Sequence, residues 1–334
     1  MYRAIKSRIF GLLLPQEFTL GFADPQTEVA VWLHGPDTPI DVTYRYSVAC
    51  GAPLTFCIGI DKGFSCNNIH RLSLRFCRRA EQQILGEIQL KQVAEFSAGE
   101  SEFIFFQPTS STNYCLPKTQ LAAHYLLFAY RQWRKDNTNG VYLSFLERRA
   151  MMVEFIRPHP VVLVSVGSKE EGNIFPMNLL GDLGDGYVGL ALRTERVAGG
   201  LVRDKGRVAL SGMPLSEGAV AYQLAHNHSK QSFDWDLLPC PIKMSTTFKI
   251  PVPAFSLRVR EVEIKTVRAI GSHSFFLGRT VHDEKWSDSL AFCSIHGFYQ
   301  SWRLKKCTEQ ELKTSLAVDA HSKRGRSMAL GKST

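Results

Sequence analysis

Pro160-Val-Val-Leu-Val-Ser-Val-Gly-Ser168 is a short apolar run, rich in β-branched residues and stopped by glycine and serine. Such a run reads as a strand buried on both faces. It leads through a polar turn into Gly172-Asn-Ile-Phe-Pro-Met-Asn-Leu-Leu180, a second extended stretch. Further along lie Tyr187-Val-Gly-Leu-Ala-Leu192, Arg207-Val-Ala-Leu-Ser211, Phe255-Ser-Leu-Arg-Val-Arg-Glu-Val-Glu-Ile264 and Ser274-Phe-Phe-Leu-Gly-Arg-Thr-Val281. Each has strand length and apolar or alternating character, with a helix expected only over Ser216–Ser229. Many short strands and few helices predict a closed β-barrel over residues 147–301.

Upstream, residues 1–145 also read as β. Glu28-Val-Ala-Val-Trp-Leu33, Asp41-Val-Thr-Tyr-Arg-Tyr-Ser-Val48, Leu54-Thr-Phe-Cys-Ile-Gly-Ile60, Arg71-Leu-Ser-Leu-Arg-Phe76 and Glu102-Phe-Ile-Phe-Phe106 predict an antiparallel sandwich or barrel. The period then changes. Residues 117–135 predict one connecting helix, with Pro117 in its first turn, cations at its end, and Leu121, Tyr125, Phe128 and Ala129 on one face. Asp136-Asn-Thr-Asn-Gly140 reads as a stop and linker. No internal repeat is visible. The last region, residues 302–334, reads as a basic, mobile tail.

The chain has 334 residues, of which 44% are apolar and 21% charged, a balance that excludes a wholly disordered chain. The net charge of +9 would suggest a nucleic-acid partner, but it is unevenly placed. Residues 302–334 carry 8 Lys+Arg against 3 Asp+Glu, so over half of the excess lies in the tail and no basic face is expected on the folded part. We therefore expect neither a nucleic-acid nor a membrane partner. The longest apolar runs, Ile9–Leu14 and Val161–Val166, are far too short to span a bilayer. The basic start has no small-residue cleavage pattern after it, and a cytoplasmic location is expected. The 8 cysteines contain no C-x-x-C pair and most sit among apolar neighbours, which predicts buried thiols. His226-Asn-His228 lacks a third ligand of defined spacing, so no metal site is expected.

Taken in order, the segments of residues 150–300 resemble the flavin reductase-like, FMN-binding split-barrel family. Residues 160–168 resemble its opening strand and polar turn, and Gly172–Leu180 its loop along the flavin. Val188-Gly-Leu-Ala-Leu-Arg-Thr194 is similar to the strand whose end meets the flavin phosphate. Gly206-Arg-Val-Ala-Leu-Ser211 resembles a "Gly-x-Phe-Ala-x-Asn" segment, and Gly271-Ser-His-Ser-Phe-Phe-Leu-Gly-Arg-Thr-Val281 a "Gly-x-His…Gly-x-Val" strand. Leu290-Ala-Phe-Cys-Ser-Ile-His-Gly-Phe-Tyr299 resembles the terminal "Leu-x-Tyr-x-x-Gly-x-Tyr".

Together with the strand and helix patterns of residues 1–145, the resemblance implies a mainly β chain. It would have a C-terminal FMN-binding split β-barrel, an N-terminal antiparallel β domain of unrecognised role and one connecting helix. It implies FMN held non-covalently between two protomers of a homodimer, NADH or NADPH as electron donor, and a diffusible or protein electron acceptor. Asn173, Met177 and Asn178 would lie on the flavin loop, Asn173 and Asn178 offering amides to the ring edge. Arg193 would fork onto the phosphate, with Thr194 and Ser211 offering hydroxyls. His273 would face the nicotinamide and carry the catalytic role. Two departures are plain: the family's Gly-Asp-His is Gly-Ser-His here, and Met177, Leu179 and Leu180 stand where the family has more Ser and Thr. They leave open a second class of function, a non-catalytic flavin-binding or scaffold module. Each residue also has a bland reading: Arg193 on a strand surface, His273 at a rim, the asparagines in turns, Ser211 satisfied within a sheet.

Overall fold

The structure is a computed structural model that describes residues 17–35, 38–61, 72–80, 82–134, 143–307 and 314–318. The apolar run Ile9–Leu14, the linker 136–140, Cys66 and most of the tail lie outside the described residues.

In chain order the elements are β1 (Glu17–Phe22), α1 (Pro25–Glu28), β2 (Val29–His34), β3 (Ile40–Asp41), β4 (Tyr46–Gly51), β5 (Leu54–Asp61), β6 (Ser73–Arg78), β7 (Ile84–Ala98), β8 (Ser101–Asn113), α2 (Lys118–Trp133) and α3 (Phe145–Glu154). They continue with β9 (His159–Pro160), β10 (Val162–Val166), β11 (Asn173–Met177), β12 (Leu180–Asp182), β13 (Tyr187–Arg193), α4 (Val197–Lys205), β14 (Arg207–Gly212), α5 (Gly218–Leu224), β15 (Ile242–Met244), β16 (Pro251–Pro253), β17 (Arg258–Ile270), β18 (His273–Lys285), β19 (Ala291–His296), α6 (Gly297–Lys306) and β20 (Thr314–Val318). The fold is mainly β, as the strand pattern predicts.

Two antiparallel seven-stranded sheets dominate, curled as half-barrels. The first runs β3-β2-β6-β7-β8-β5-β4 and the second β11-β10-β14-β17-β18-β13-β12. Numbered by their turn in the chain, the strands of each sheet lie in the same order, 2-1-5-6-7-4-3. The chain therefore contains one strand topology twice, where the sequence shows no repeat. Pairing order carries this likeness.

Each sheet covers its own core. Leu33, Val48, Phe56, Phe76 and Phe106 pack inside the first, and Val164, Phe175, Leu190, Leu210 and Phe276 inside the second. A third cluster lies between them: Ala49, Cys57, Phe103 and Phe105 from the first sheet, and Leu183, Tyr187, Phe275 and Leu277 from the second. Edge-to-face ring contacts cross this seam, Phe103 to Tyr187 at 5.2 Å and Phe105 to Phe275 at 5.5 Å. Backbones also approach closely: a Cβ on Gly181 would lie 2.3 Å from the Tyr46 carbonyl oxygen, so only glycine fits that crossing of β12 on β4.

Several expectations change. The stretch 41–48 is not one strand: Asp41 accepts from the Thr43 N–H at 2.9 Å, and Arg45 N–H closes back on Val42 O, so a turn separates β3 from β4. Two helices, not one, connect the sheets. On α2, Leu121 and Phe128 are buried, while Ala129 faces outward. A second helix, α3, begins at a capping box in which Ser144 and Glu147 bond reciprocally. The terminal motif 290–299 divides into β19 and the start of α6, and β19 pairs with β1 in a sheet ordered β20-β1-β19-β9, outside the second half-barrel. Helix α6 runs on through residues 301 and 302. It is held to α1 by Glu28, which accepts from the Tyr299 hydroxyl at 2.6 Å and from Arg303 Nε at 2.8 Å.

Candidate functional site

The end of β13 and the tip of the β17–β18 hairpin lie side by side because Arg193 is paired with His273 in the sheet register. The hairpin tip is the two-residue turn Gly271-Ser272, with Gly271 at φ +51°, which glycine adopts without strain. Thr194 continues the contact: its N–H donates to Ser272 O at 3.1 Å, and its hydroxyl lies 3.4 Å from that of Ser274. Arg203, from α4, donates to the same Ser274 hydroxyl at 3.2 Å.

Helix α4 starts three residues after Thr194, with no side-chain cap on its first turn. Its first N–H groups and dipole therefore face the same region as two guanidiniums. Arg196 donates to the Ser229 hydroxyl at 2.5 Å, and His228 sits beside that serine with Nε2 2.7 Å from Pro176 O. Burial and the nearby positive charge of Arg196 push the Arg193 guanidinium down from its ordinary value. Burial likewise lowers the His228 pKa, with Arg196 and Arg193 adding to the effect. Three basic side chains thus crowd one edge without a carboxylate among their described bonds. Glu195, between the two arginines in the chain, offsets part of this charge, and the cations still outnumber it, as an anion site requires.

His273 is 4% exposed. Its Nδ1 lies 2.8 Å from the Ser272 hydroxyl and 3.5 Å from Cys50 Sγ, and it accepts the Gly51 N–H at 3.4 Å. An accepting Nδ1 leaves the ring proton on Nε2. Burial, then repulsion from Arg193, pulls its pKa down to about 4, so the imidazole is neutral near pH 7. Part of its surroundings comes from the first sheet. Ser272 N–H donates to Ala52 O at 2.9 Å, and a Cβ on Gly51 would lie 3.2 Å from His273 Cε1.

The structure thus brings Arg193, Thr194 and His273 together. Asn178 follows β11 in the half-exposed loop that runs beside β13, where the Ala191 N–H donates to Leu179 O at 3.1 Å. The other three residues face elsewhere. Asn173 is fully buried; its amide donates to Asn227 O at 3.0 Å and Lys230 O at 2.7 Å, which fastens β11 to the segment carrying His228. Met177 belongs to the core of the second half-barrel. Ser211 is fully buried between Leu163 and Val259, and its hydroxyl has no partner among the described residues. Sequence reasoning missed Arg196, Arg203, Ser272 and the whole Cys50–Pro53 wall. The first two were legible as cations flanking a helix after Thr194; the wall, over 200 residues away in the chain, carried no signal.

The donor set suits a phosphate monoester: guanidinium forks, a hydroxyl and uncapped helix N–H groups on one edge, with a neutral imidazole beside them. No helix among the described residues is long and apolar enough to cross a membrane. No family model matches the chain, and no curated protein matches it. Among solved structures it is similar to an FMN-binding protein from Thermus thermophilus with bound p-hydroxybenzaldehyde, at 21% identity and TM-score 0.37 over 41% of this chain and 86% of the other. It is also similar to an NADH:FAD oxidoreductase from Streptomyces globisporus, at 18% identity and TM-score 0.40 over 48% of this chain and 95% of the other. A third likeness is to the styrene monooxygenase flavin reductase of Pseudomonas putida, at 15% identity and TM-score 0.36 over 42% and 89%.

Proposed function

We propose that this chain is a flavin-binding oxidoreductase that reduces FMN with NADH or NADPH, with its site at the Arg193–His273 edge. The observation that carries the reading is the register pair itself: β13 brings a guanidinium and β18 an imidazole to the same end of one sheet. The residues present fit FMN's single phosphate. When bound, FMN would supply acceptance of a hydride from the reduced nicotinamide and release of the electrons to a diffusible acceptor or partner protein.

The chain's own residues bind and orient. Arg193 and the first turn of α4 hold the phosphate, with the Thr194 hydroxyl beside them. Asn178 offers its amide to the ring edge. Asn173, Met177 and Ser211, set inside the barrel, act by holding the loop and sheet that carry these groups. His273 stays neutral near pH 7 and presents an Nε2 proton, which can orient a nicotinamide carboxamide; its Nδ1 is occupied, so it is no base at that atom. The second protomer that the resemblance implies has a candidate inside the chain, the first sheet, whose β4–β5 turn already closes over His273.

The test is flavin retention followed by turnover. Purified protein should quench FMN fluorescence saturably and, with FMN added, oxidise NADH or NADPH; Arg193→Ala should weaken binding without unfolding the chain. Unchanged affinity in that variant removes Arg193 from the site. A second reading, a flavin-binding scaffold without hydride chemistry, is favoured by the low exposure of His273 beneath the Cys50–Pro53 wall. Tight FMN binding with no nicotinamide oxidation would select it.

A further inference from the structure

We propose that the first half of the chain is a second half-barrel that has lost its own anion site and serves as the built-in partner wall of the Arg193–His273 site, so that one chain is a complete, single-site unit. The proposal rests on the flavin reading of that site. Its structural basis is independent and begins with the repeated strand order.

The repeat extends to individual positions. In the first sheet the long hairpin β7–β8 turns through Gly99-Glu100, between the paired residues Ala98 and Ser101. In the second, β17–β18 turns through Gly271-Ser272, between Ile270 and His273. Both glycines have positive φ, +63° and +51°. Ser101 is thus the counterpart of His273. Across the sheet Ser101 pairs with Asp61, as His273 pairs with Arg193.

The two halves also dock on each other reciprocally. The β4–β5 turn of the first half sits on the Gly271-Ser272 tip: a Cβ on Gly271 would lie 2.3 Å from Pro53 Cδ, and Ser272 bonds Ala52. The β12–β13 turn of the second half sits on the Gly99-Glu100 tip: Ser101 donates to Asp185 at 2.7 Å, and the Tyr187 hydroxyl donates to Ala98 O at 3.3 Å. The strands that cross at the centre, β4 and β12, are counterparts of each other, as a pseudo-two-fold axis through Ser47 and Gly181 requires.

The two seams differ in charge. One presents Arg193 and Arg196, with Glu195 between them in the chain, beside a neutral imidazole. At the other, the counterpart of Arg193 is Asp61, already taken by Arg45 at 2.7 Å, and Glu102 and Asp185 flank the same tip. The second seam also holds Arg45, Arg268 and Arg279, but opposite its hairpin tip stands a carboxylate where the first has a guanidinium, so a phosphate is favoured at the first. The seam with the guanidinium at that position has its imidazole enclosed by Cys50, Gly51, Ala52 and Pro53 from the other half.

The experiment is a fluorescence titration of the full chain with FMN at protein concentrations well above Kd, with the mass of the saturated species taken by light scattering. The proposal expects one FMN per chain on a particle of one chain's mass, 37.6 kDa. Two FMN per chain, or one FMN per two chains on a particle of twice the mass, overturns it while leaving the flavin reading in place. No saturable binding overturns the flavin reading and this proposal with it.

Discussion

Gly59→Ala tests the seam between the two half-barrels directly. Gly59 lies on β5, and a Cβ placed there would stand 1.9 Å from the carbonyl oxygen of Leu183, in the β12–β13 turn of the other half. An ordinary contact begins at 3.4 Å, so one backbone must retreat by 1.5 Å. The obstacle is main chain, which cannot swing aside as a side chain would. Such overpacking costs typically about 1–3 kcal/mol, and a backbone obstacle puts this one near the upper end. Loss of glycine's freedom in the unfolded chain returns about 0.5–1 kcal/mol. The expected net destabilisation is about 2 kcal/mol. Gly200→Ala is the control: Gly200 lies inside α4 with nothing within 4 Å of an added Cβ, and it should gain about 0.5–1 kcal/mol. Urea unfolding of both variants, followed by tryptophan fluorescence, reads the two signs. A Gly59→Ala protein as stable as wild type would mean that the halves do not pack as closely as described.

Arg193→Ala should raise the Kd for FMN by about 10–100-fold, the value of a charged hydrogen-bonded anchor, with a circular dichroism spectrum like the wild type's. The folded-state pKa of His273, about 4, lies below the ordinary 6.5, so the neutral ring contributes stability that is complete above pH 6.5 and is lost as pH falls towards 4. Stability measured across that window should fall more steeply in wild type than in His273→Gln, by on the order of 2 kcal/mol. Ser144→Ala removes one arm of the α3 capping box and should cost about 1 kcal/mol in urea unfolding. Glu28→Ala strips the nearly buried Arg303 of its carboxylate and should cost about 3 kcal/mol, visible as a lower melting temperature.

Much of the second half-barrel was legible because its strands are short, apolar and cleanly punctuated. β10, β13, β14 and β18 lie where their residues predict, and Gly271 marks the tip that aligns His273 with Arg193. The first half was legible only as β. Strand β7, the longest at 15 residues, went unmarked because Ile84-Leu-Gly-Glu-Ile-Gln-Leu90 blends into Lys91–Ala98, a stretch with several charged and polar residues that is largely exposed. The repeat was invisible for a physical reason: topology is set by turn positions and by which residues are apolar, and these tolerate almost complete substitution. A pair such as Asp61 and Arg193 is equivalent in the fold and opposite in chemistry. The site was half legible. Arg193, Thr194 and His273 lie within one half and carry their own residue signals, whereas Cys50 and Gly51 reach His273 only through the docking of two distant turns, which no local pattern encodes.

Binding of FMN at the Arg193–His273 edge is tested most directly by an FMN fluorescence titration of wild type alongside Arg193→Ala. Saturable quenching is expected in wild type, with a Kd at least about tenfold weaker in the variant. Equal affinity in the two proteins, or no saturable binding in wild type, would contradict it.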